Sequence, residues 1–333
     1  MWFRTSVCST DRLLCYTHIV TDFPFRAYSR YLRNRYGERT YRIGVDAGFS
    51  CPNRGSDRRS GGCTFCDESG ARAAYIADVS AADLTGQIER SRDALARRYG
   101  AARFMLYFQA FSSTYAPADV LREVYDTGLS VMPFEELIVS TRPDCVDGEI
   151  ATLLGSYRER LNDVWVELGL QSAHDATLRR IGRGHDVAAF DRALSSLRAS
   201  GVKVAAHVIF GLPGEGPAEI AETMRFLAER RIEGIKIHNL HVVEGTPLDA
   251  QYCRGEFSVP DGEEHMRLVA DALELLPSDT VVMRLTCDTP DGKLRAPRAF
   301  PGKQEFRRRL VEYMQERGKY QGRREVMVSW SSR

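Results

Sequence analysis

The sequence predicts an α/β protein in which parallel strands form a barrel or a wound sheet. Along its 333 residues, short strand-like segments alternate with longer segments of helical periodicity, which is the pattern of repeated strand–helix units. The cysteine-containing and polar motifs follow the predicted strands, at the ends where α/β barrels build their active sites. A scattered set of structural residues would not share that location.

Seven segments have the length and composition of buried strands. In chain order they are Tyr41–Val45, Arg103–Phe108, Glu136–Ser140, Asp163–Leu168, Lys203–Phe210, Gly234–Leu240 and Thr280–Leu285. The helices predicted between them are Ala81–Tyr99, Pro117–Gly128, Asp147–Tyr157, Val187–Ser200, Pro217–Arg231 and Gly262–Leu275. Ser80 and Asp186 are suitable N-caps, and Gly100 and Gly201 are suitable C-caps. Because the sequence has no internal repeat or long linker, we expect one domain with terminal additions.

Three cysteines follow the first predicted strand. Eleven residues separate Cys51 from Cys63, and two separate Cys63 from Cys66. Thiolates at close spacing bind zinc or an iron–sulfur cluster. A structural zinc site takes four protein ligands, usually from two cysteine pairs, whereas this stretch offers one pair and one further cysteine. Three ligands leave one metal position open, which suits chemistry better than a structural role.

Two other interpretations of the three cysteines stay open: a zinc loop completed by Asp67 or a distant histidine, or buried apolar thiols. The neighbouring residues favour a loop that wraps a bound group. Gly61 and Gly62 can take positive φ and approach a ligand closely. Pro52–Asn53 is a turn former, and Phe65 could shield a cluster from water.

Composition favours a protein of the reducing cytoplasm. The 43% hydrophobic content and mean hydropathy of −0.33 are ordinary for a soluble protein with a sizeable core. No segment approaches the roughly 20 apolar residues of a membrane span, so we expect no membrane association. The first 21 residues lack the apolar region of a secretory signal. The remaining cysteines have no disulfide-like spacing; they are Cys8, Cys15, Cys145, Cys253 and Cys287.

The net charge is only +1, but positive charge is concentrated near the two ends. Residues 291–333 contain twelve Lys and Arg against five Asp and Glu, and residues 26–42 contain six Arg against Glu38 alone. Basic surfaces of this kind attract phosphate backbones. The alternative is that these residues form solvated helix faces.

The motifs together resemble those of the radical S-adenosylmethionine (SAM) superfamily, in a variant with a distant first cysteine. The spacing is similar to that in the Elongator catalytic subunit, and a closer resemblance is to a bacterial Elongator-like family of about this length. The matching motifs are Gly48–Arg54, Gly62–Cys66, Tyr107–Ala110, Thr141–Cys145, Glu167–Gln171, Arg183–Asp186 and Gly211–Glu215.

The resemblance implies a partial (β/α)6 TIM-type barrel with short terminal extensions, opened on one side for a large substrate. We therefore expect residues 22–290 to form the radical SAM core barrel and residues 291–333 to form a basic C-terminal extension. Residues 1–21 are expected to be a disordered extension or the product of a misassigned start codon.

The resemblance also implies the cofactors. Cys51, Cys63 and Cys66 would ligate three irons of a [4Fe–4S] cluster, and the fourth iron would bind SAM. An electron from the reduced cluster then splits SAM into methionine and a 5′-deoxyadenosyl radical, which abstracts hydrogen from an unactivated carbon. The electron would come from a donor such as flavodoxin or ferredoxin.

Several residues resemble SAM ligands of the superfamily. Gln171 and Arg183 would contact the methionine end and the ribose, and Gly211–Glu215, with Gly211 and Pro213, would pack on adenine or be a plain turn. Glu167 and His207 would face the same barrel mouth as ligands or as satisfied interior polar groups.

The sequence departs from the superfamily after the second strand, where Phe108–Phe111 replaces a glycine-rich triplet. Gln109 or Ser112 is then expected to contact the SAM amino group.

The remaining candidates are less specific. Cys145 could line the substrate cavity or quench radicals, although an inert buried thiol is favoured. For His238 and His241 we expect substrate or SAM contact rather than a metal, and for Cys287 simple burial.

Elongator-type radical SAM domains act on wobble uridines of tRNA. The closer family has been linked to conversion of 5-carboxymethylaminomethyluridine toward 5-aminomethyluridine, and we expect this reaction here, with the basic ends gripping tRNA. Because few residues follow Leu285, we expect no acetyltransferase part. The alternatives are a radical SAM enzyme acting on a small metabolite or protein side chain, and a non-catalytic zinc-containing RNA-binding module.

Overall fold

The computed structural model describes residues 23–54, 58, 61–67, 83–287 and 291–325. The predictions made for residues 1–21, Cys8, Cys15, Ser80 and the start of a helix at Ala81 lie outside these residues. Within them, no helix is both long and apolar enough to cross a bilayer.

Seven parallel strands form one sheet in the order β1-β2-β3-β4-β5-β6-β8. These strands are β1 Thr40–Val45, β2 Arg103–Phe108, β3 Glu136–Thr141, β4 Asp163–Gln171, β5 Lys203–Phe210, β6 Gly234–Asn239 and β8 Val281–Arg284; β7 Val242–Val243 pairs separately with β9 Leu294–Ala296. All seven predicted strands are confirmed, with ends that shift by up to three residues.

The sheet curls into a partial barrel, as predicted. Arg42 of β1 and Met283 of β8 belong to the two outermost strands, yet Arg42 Nη2 lies 3.6 Å from Met283 Sδ across the interior. Ala27 makes a parallel bridge with Val282 and so occupies part of the gap between these strands. The order of the strands and the inward curvature together place every strand's carboxyl end around one mouth.

Helices connect the strands and cover the outside of the sheet. They are α1 Tyr28–Tyr36, α2 Leu84–Tyr99, α3 Ala118–Ser130, α4 Gly148–Ser156, α5 Asp175–Arg180, α6 Val187–Ala199, α7 Pro217–Glu229, α8 Pro247–Cys253, α9 Gly262–Leu275 and α10 Lys303–Glu316. The predicted caps Asp186 and Gly100 are confirmed. The C-cap predicted at Gly201 is wrong by one residue, because Ser200 is the C-cap and Gly201 follows with φ 73°. Helices α1, α5, α8 and α10 were not predicted.

Side chains alternate between the two faces of each strand. On β4, Val164, Val166 and Leu168 belong to the large core shared with the outer helices, whereas Trp165 belongs to a smaller apolar cluster inside the barrel. Leu32 of α1 is part of that inner cluster, so α1 closes the amino end of the barrel. This closure leaves the carboxyl end as the open side of the barrel.

The basic segment 26–42 is partly internal. Arg35 of α1 pairs with Asp163 at 2.8 Å, and the same carboxylate lies 2.7 Å from Lys203. Glu136 accepts a 2.6 Å hydrogen bond from Tyr36, and burial raises the pKa of this carboxyl to about 7. Arg35 therefore helps to dock α1 onto the barrel, so the arginines of this segment do not form one free basic face.

The C-terminal basic residues are also partly paired. Arg308 binds Glu305 at 2.7 Å and Glu312 at 2.7 Å on its own helix, and Arg309 pairs with Glu263 of α9. On its other face, α10 packs Phe306, Leu310 and Met314 into the main core. The division at residue 290 stays a prediction, but α10 is integrated with the barrel rather than detached from it.

Candidate active site at the carboxyl end of the barrel

The cysteine loop is attached to the barrel mouth by backbone hydrogen bonds. Thr64 N donates to Ile181 O at 2.9 Å, and Leu248 N donates to Thr64 O at 3.0 Å. Within the loop, Gly62 N donates to Asn53 O at 2.7 Å. Gly61 has φ 69°, and a Cβ there would lie 2.6 Å from Asn53 O, so the tight return of this loop requires glycine. The loop therefore presents its thiols from a fixed backbone.

Hydrogen-bond donors surround the thiols. Asn53 Nδ2 lies 3.4 Å from Cys63 Sγ, and Arg183 Nη1 lies 3.6 Å from the same sulfur. Arg142 Nη1 lies 3.8 Å from Cys51 Sγ. Cys51 and Cys63 are buried, and Cys66 is half-buried. Donors of this kind favour the thiolate, which is the form that ligates metals.

The thiols of Cys63 and Cys66 are shifted in opposite directions. Its hydrogen bond with Cys66, together with the charges of Arg183 and Arg142, lowers the pKa of Cys63 to about 4, although burial opposes the shift. The same hydrogen bond, together with burial, raises the pKa of Cys66. The two thiols therefore share one proton, and the nearby guanidinium groups of Arg183 and Arg142 favour the ionised form of the pair.

The donor set fits an iron–sulfur cluster. Its three soft thiols lie on one loop, and N–H groups point at two of the sulfurs, as in sites that tune a cluster through hydrogen bonds. In the described part of the chain, no three His, Cys, Asp or Glu side chains come together as a single metal ion would require. Phe65 of the loop packs against a small apolar cluster that also contains Ile181 and Leu212.

Gly169 makes room for Arg183 at the mouth. A Cβ at Gly169 would lie 2.5 Å from Arg183 Nη2 and 2.7 Å from Gln171 Nε2. Arg183 Nη2 donates to Gly169 O at 3.0 Å while its Nη1 faces Cys63. Gln171 ends β4 with φ 72°, an unusual conformation for a residue other than glycine. The structure thus brings the predicted residues Gln171, Arg183 and Cys63 together.

The turn after β2 keeps a glycine-like backbone without glycine. Ala110 has φ 79° and Phe111 has φ 54°. Gln109 N donates to Val45 O at 3.1 Å, which holds the turn against β1. Ser112 Oγ lies 2.8 Å from Thr141 Oγ1, at the end of β3. Strained backbone of this kind persists where the surroundings enforce it and is common at active sites.

The Gly211–Glu215 turn lies next to the cysteine loop. Gly211 has φ 90°, and a Cβ there would lie 2.5 Å from Pro260 Cδ. Pro213 O accepts a hydrogen bond from Arg180 Nη1 at 2.8 Å. Leu212 belongs to the apolar cluster that Phe65 contacts. This apolar cluster therefore joins two motifs that are about 150 residues apart in the sequence.

A buried carboxylate lies deeper in the barrel. Glu167 is fully buried, and its two oxygens take four interactions from four strands. Arg42 Nη1 donates to Oε1 at 2.6 Å, Tyr107 OH donates to Oε2 at 2.6 Å, His207 Nε2 lies 3.2 Å from Oε2, and Lys236 forms a close ion pair with Oε2. We call Glu167, Arg42, Tyr107, His207 and Lys236 the interior network.

Burial and charge set the protonation of the interior network. Burial raises the pKa of Glu167, but the charges of Lys236 and Arg42 outweigh it, so this pKa lies well below the usual range. Burial lowers the pKa of His207 to about 4, so its imidazole is neutral at pH 7. Glu167 and His207 point into the barrel, as predicted. Their contacts favour the interpretation as satisfied interior polar groups.

The structure gives the three less specific candidates, Cys145, His238 and His241, different surroundings. Cys145 is buried, and burial raises the pKa of its thiol to about 11, which fits an inert cysteine. His238 faces the barrel interior, with its ring 5.3 Å from that of His207. His241 lies elsewhere, with Nε2 3.8 Å from the half-buried Cys287 Sγ. His238 and His241 therefore serve different surroundings.

Several residues of the site were missed from the sequence. Asn53 was identified only as a turn former, and Arg142 only as part of a motif. Arg42, Tyr107 and Lys236 were given no role. Inward-facing charges flanked by apolar residues, as in Ile235–Lys236–Ile237, were the signal that could have found the interior network.

Comparison with known proteins shows the family to which the chain is similar. The Radical SAM superfamily profile matches residues 53–227, and the Radical_SAM C-terminal domain profile matches residues 232–316. YtqA of Bacillus subtilis (strain 168) is 33% identical over 303 residues, covering 91% of this chain and 93% of YtqA. The tRNA uridine(34) acetyltransferase of Methanocaldococcus infernus is 32% identical over 162 residues, covering 46% of this chain and 29% of that protein.

A solved structure shows the same fold. Archaeal Methanocaldococcus infernus Elp3, with an N-terminal deletion of residues 1–46, superposes with a TM-score of 0.66 at 18% identity. The match covers 85% of this chain and 64% of that one. The half-barrel seen here is therefore an architecture already known from that protein.

Replacing Glu167 should destabilise the fold. Glu167→Gln leaves Arg42 and Lys236 buried without their carboxylate, so we expect the free energy of unfolding to fall by roughly 3–5 kcal/mol. Urea denaturation followed by circular dichroism measures this change. The matched control is Glu123→Gln on the exposed face of α3, for which we expect a change within about 0.5 kcal/mol. Unchanged stability with weaker SAM binding would instead make Glu167 a SAM ligand.

Proposed function

Because this chain belongs to the radical SAM superfamily, we propose that Cys51, Cys63 and Cys66 hold its [4Fe–4S] cluster at the carboxyl end of the barrel. The chain is an enzyme that uses this cluster and SAM. When both are bound, they supply a 5′-deoxyadenosyl radical that abstracts hydrogen from a substrate carbon. The observation that carries the assignment is the cysteine loop itself, whose thiols lie at the mouth with Asn53 and Arg183 pointing at Cys63. Membership of this family leaves no support for the non-catalytic zinc module.

We assign the SAM-binding side chains from their positions around the cysteine loop. Arg183 and Gln171 occupy the space above Gly169 and would orient the methionine end and the ribose of SAM. Gln109, in the strained turn after β2, would contact the amino group. Gly211 and Pro213 would pack against adenine, since their turn shares an apolar cluster with the cysteine loop. Glu167 and His207 would not contact SAM. They would hold in place the strands that carry the proposed SAM ligands.

The substrate that we propose is a tRNA wobble uridine bearing a 5-carboxymethylaminomethyl group. Support comes from the relative named tRNA uridine(34) acetyltransferase, which matches about half of this chain, and from the fold shared with archaeal Elp3. Hydrogen abstraction from the methylene carbon beside the carboxylate would begin conversion toward the 5-aminomethyl form. The barrel must then admit the modified uracil base with its 5-substituent, while the rest of the RNA stays outside.

Unpaired basic residues on the surface are the tRNA contacts that fit this proposal. Arg30, Arg33 and Arg39 belong to the basic segment 26–42, and no ion pair involves them among the described residues. They lie on α1 or just before β1, at the amino end of the barrel, so they would contact a part of the tRNA that is remote from the wobble nucleotide. A flavodoxin or ferredoxin in the reducing cytoplasm would supply the electron. The internal pairing of Arg308 and Arg309 favours a second candidate substrate, a small metabolite or a protein side chain, which would need less basic surface.

The thiols can be tested by metal content. Cys63→Ala should abolish iron binding and SAM cleavage, because the cluster loses one of three ligands. The matched control is Cys145→Ala, a buried thiol at the same mouth that should leave both unchanged. Iron and sulfide analysis of anaerobically reconstituted protein, followed by assay of 5′-deoxyadenosine after reduction, measures both effects. Retained iron in the Cys63 variant would remove Cys63 from the proposed ligand set.

The position of Arg183 can be tested through Gly169. In Gly169→Ala the new methyl group displaces Arg183 and Gln171, so we expect SAM affinity to fall roughly tenfold or more, the value of a lost hydrogen bond to a charged group. Gly148→Ala is the control, because a Cβ there meets no atom within 4 Å. Equilibrium binding of SAM to the reconstituted protein distinguishes the two. Equal affinities would exclude Arg183 and Gln171 as SAM ligands.

The tRNA reaction can be tested in cells and in vitro. Deleting the gene should raise 5-carboxymethylaminomethyluridine and lower its 5-aminomethyl derivatives in bulk tRNA, as measured by nucleoside mass spectrometry. Purified enzyme with reductant and SAM should reverse this on tRNA from the deletion strain, whereas the Cys63→Ala protein should not. Unchanged wobble nucleosides would exclude this substrate and favour the second candidate.

A further inference from the structure

The barrel interior holds more positive than negative charge at the level of the interior network. Arg42 and Arg284 face the same space as Glu167, and arginine keeps its proton in proteins. Two guanidinium groups against one carboxylate leave a surplus of at least one positive charge, before Lys236 is counted. An unbalanced charge in a partly dry cavity is costly unless a ligand of opposite sign completes the site.

Glu167 cannot balance Arg284, because its oxygens are already occupied. Arg42, Tyr107, His207 and Lys236 take both oxygens of Glu167 at hydrogen-bond distance. Aromatic rings offer further compensation to Arg42, whose guanidinium carbon lies 4.7 Å from the ring centre of Tyr28.

Arg284 has no such partner. It is half-buried at the carboxyl end of β8, opposite Lys236 in register. Among the described residues, no carboxylate lies within ion-pair distance of its guanidinium and no side chain hydrogen-bonds to it. Arg284 is therefore the cation of this layer that is open to a ligand.

His238 provides a second group beside Arg284. It lies two residues beyond Lys236 on β6, and burial first, then the charge of Arg284, lowers its pKa well below the usual range. Its imidazole is thus neutral, and its Nε2 is buried with no hydrogen-bond partner among the described residues. With its proton on Nε2, this imidazole and the guanidinium of Arg284 are two neighbouring donors that a carboxylate can satisfy.

The position of this layer fits a substrate group rather than a structural ion. Glu167 precedes Gly169 by two residues on β4, and Gly169 O holds Arg183 beside Cys63. Arg284 is in register with Lys236, which pairs with His207, which in turn pairs with Gly169, so Arg284 lies beside the strand position that holds Arg183. A substrate group bound to Arg284 would hold the carbon atom next to it near the mouth of the barrel.

We propose that Arg284 and His238 bind a carboxylate of the substrate inside the barrel. This inference rests on the proposed function, since the 5-carboxymethylaminomethyl group carries a carboxylate and its methylene is the proposed site of attack. The 5-aminomethyl product has lost that carboxylate and keeps an ammonium group. The positive charge of Arg284 therefore favours binding of the substrate, which carries a carboxylate, over binding of the product, which carries only an ammonium group.

The experiment compares two anticodon stem–loop RNAs that differ only in the wobble side chain. One carries 5-carboxymethylaminomethyluridine and the other 5-aminomethyluridine, and fluorescence anisotropy measures their affinities for unreduced, cluster-loaded protein. Wild-type protein should prefer the carboxylate form by roughly 10- to 100-fold, the value of a charge-assisted hydrogen bond. Arg284→Met should bind both RNAs alike, and Arg284→Lys should recover part of the preference. Arg225→Met on the exposed face of α7 should behave as wild type.

The outcomes separate this inference from the proposed function. If the wild type converts the carboxylate RNA and Arg284→Met keeps the full preference, Arg284 does not bind the carboxylate and the inference is wrong while the function stands. If the wild type neither prefers nor converts that RNA, the proposed function is wrong and the inference falls with it. SAM affinity is measured on the same proteins, because SAM also has a carboxylate. A loss of SAM affinity in Arg284→Met with an unchanged RNA preference would assign the site to SAM.

Discussion

The buried carboxylate of Glu167 connects four strands across the inside of the barrel. Its partners come from β1 and β2 on one side of β4 and from β5 and β6 on the other side. A carboxylate without water is stable only when its hydrogen-bonding capacity is used, so these strands must curve until all four donors reach it. The open sheet thereby becomes a half-barrel with one mouth, and the carboxyl ends of the strands converge there.

The geometry of the barrel mouth depends on two glycines, Gly169 and Gly61, and on the side chain of Arg183. Gly169 leaves an inward position on β4 empty, and Arg183 fills that space, where it connects the strand to Cys63. Gly61 allows the cysteine loop to return tightly enough for Asn53 to reach the same sulfur. The cysteine loop and the barrel are therefore one unit, and the chemistry of the thiols depends on groups supplied by β4 and the segment that follows it.

Several arginines of the two basic ends are paired within the molecule. Arg35, Arg42 and Arg309 bind carboxylates of the barrel or of neighbouring helices, although the sequence suggested that the basic ends face an RNA. The unbalanced charge lies instead around Arg284, inside the barrel. If Arg284 binds the substrate as proposed, recognition would depend on an ion pair in a partly dry cavity, which salt screens less than a contact on the surface.

The sequence by itself determined the strand–helix alternation, all seven strands of the main sheet, and the loop that carries Cys51, Cys63 and Cys66, because periodicity and spacing are local properties. It could also place Gln171 near the mouth, since carboxyl ends of parallel strands share one edge, whereas Arg183 was placed there only by the family resemblance. Only the tertiary structure decided that Arg42, Tyr107 and Lys236 meet at Glu167 and that Asn53 and Arg183 reach Cys63. These contacts join residues 10 to 125 positions apart. Their partners are chosen by the curvature of the sheet and by the cost of burying charge, which no local pattern in the chain records.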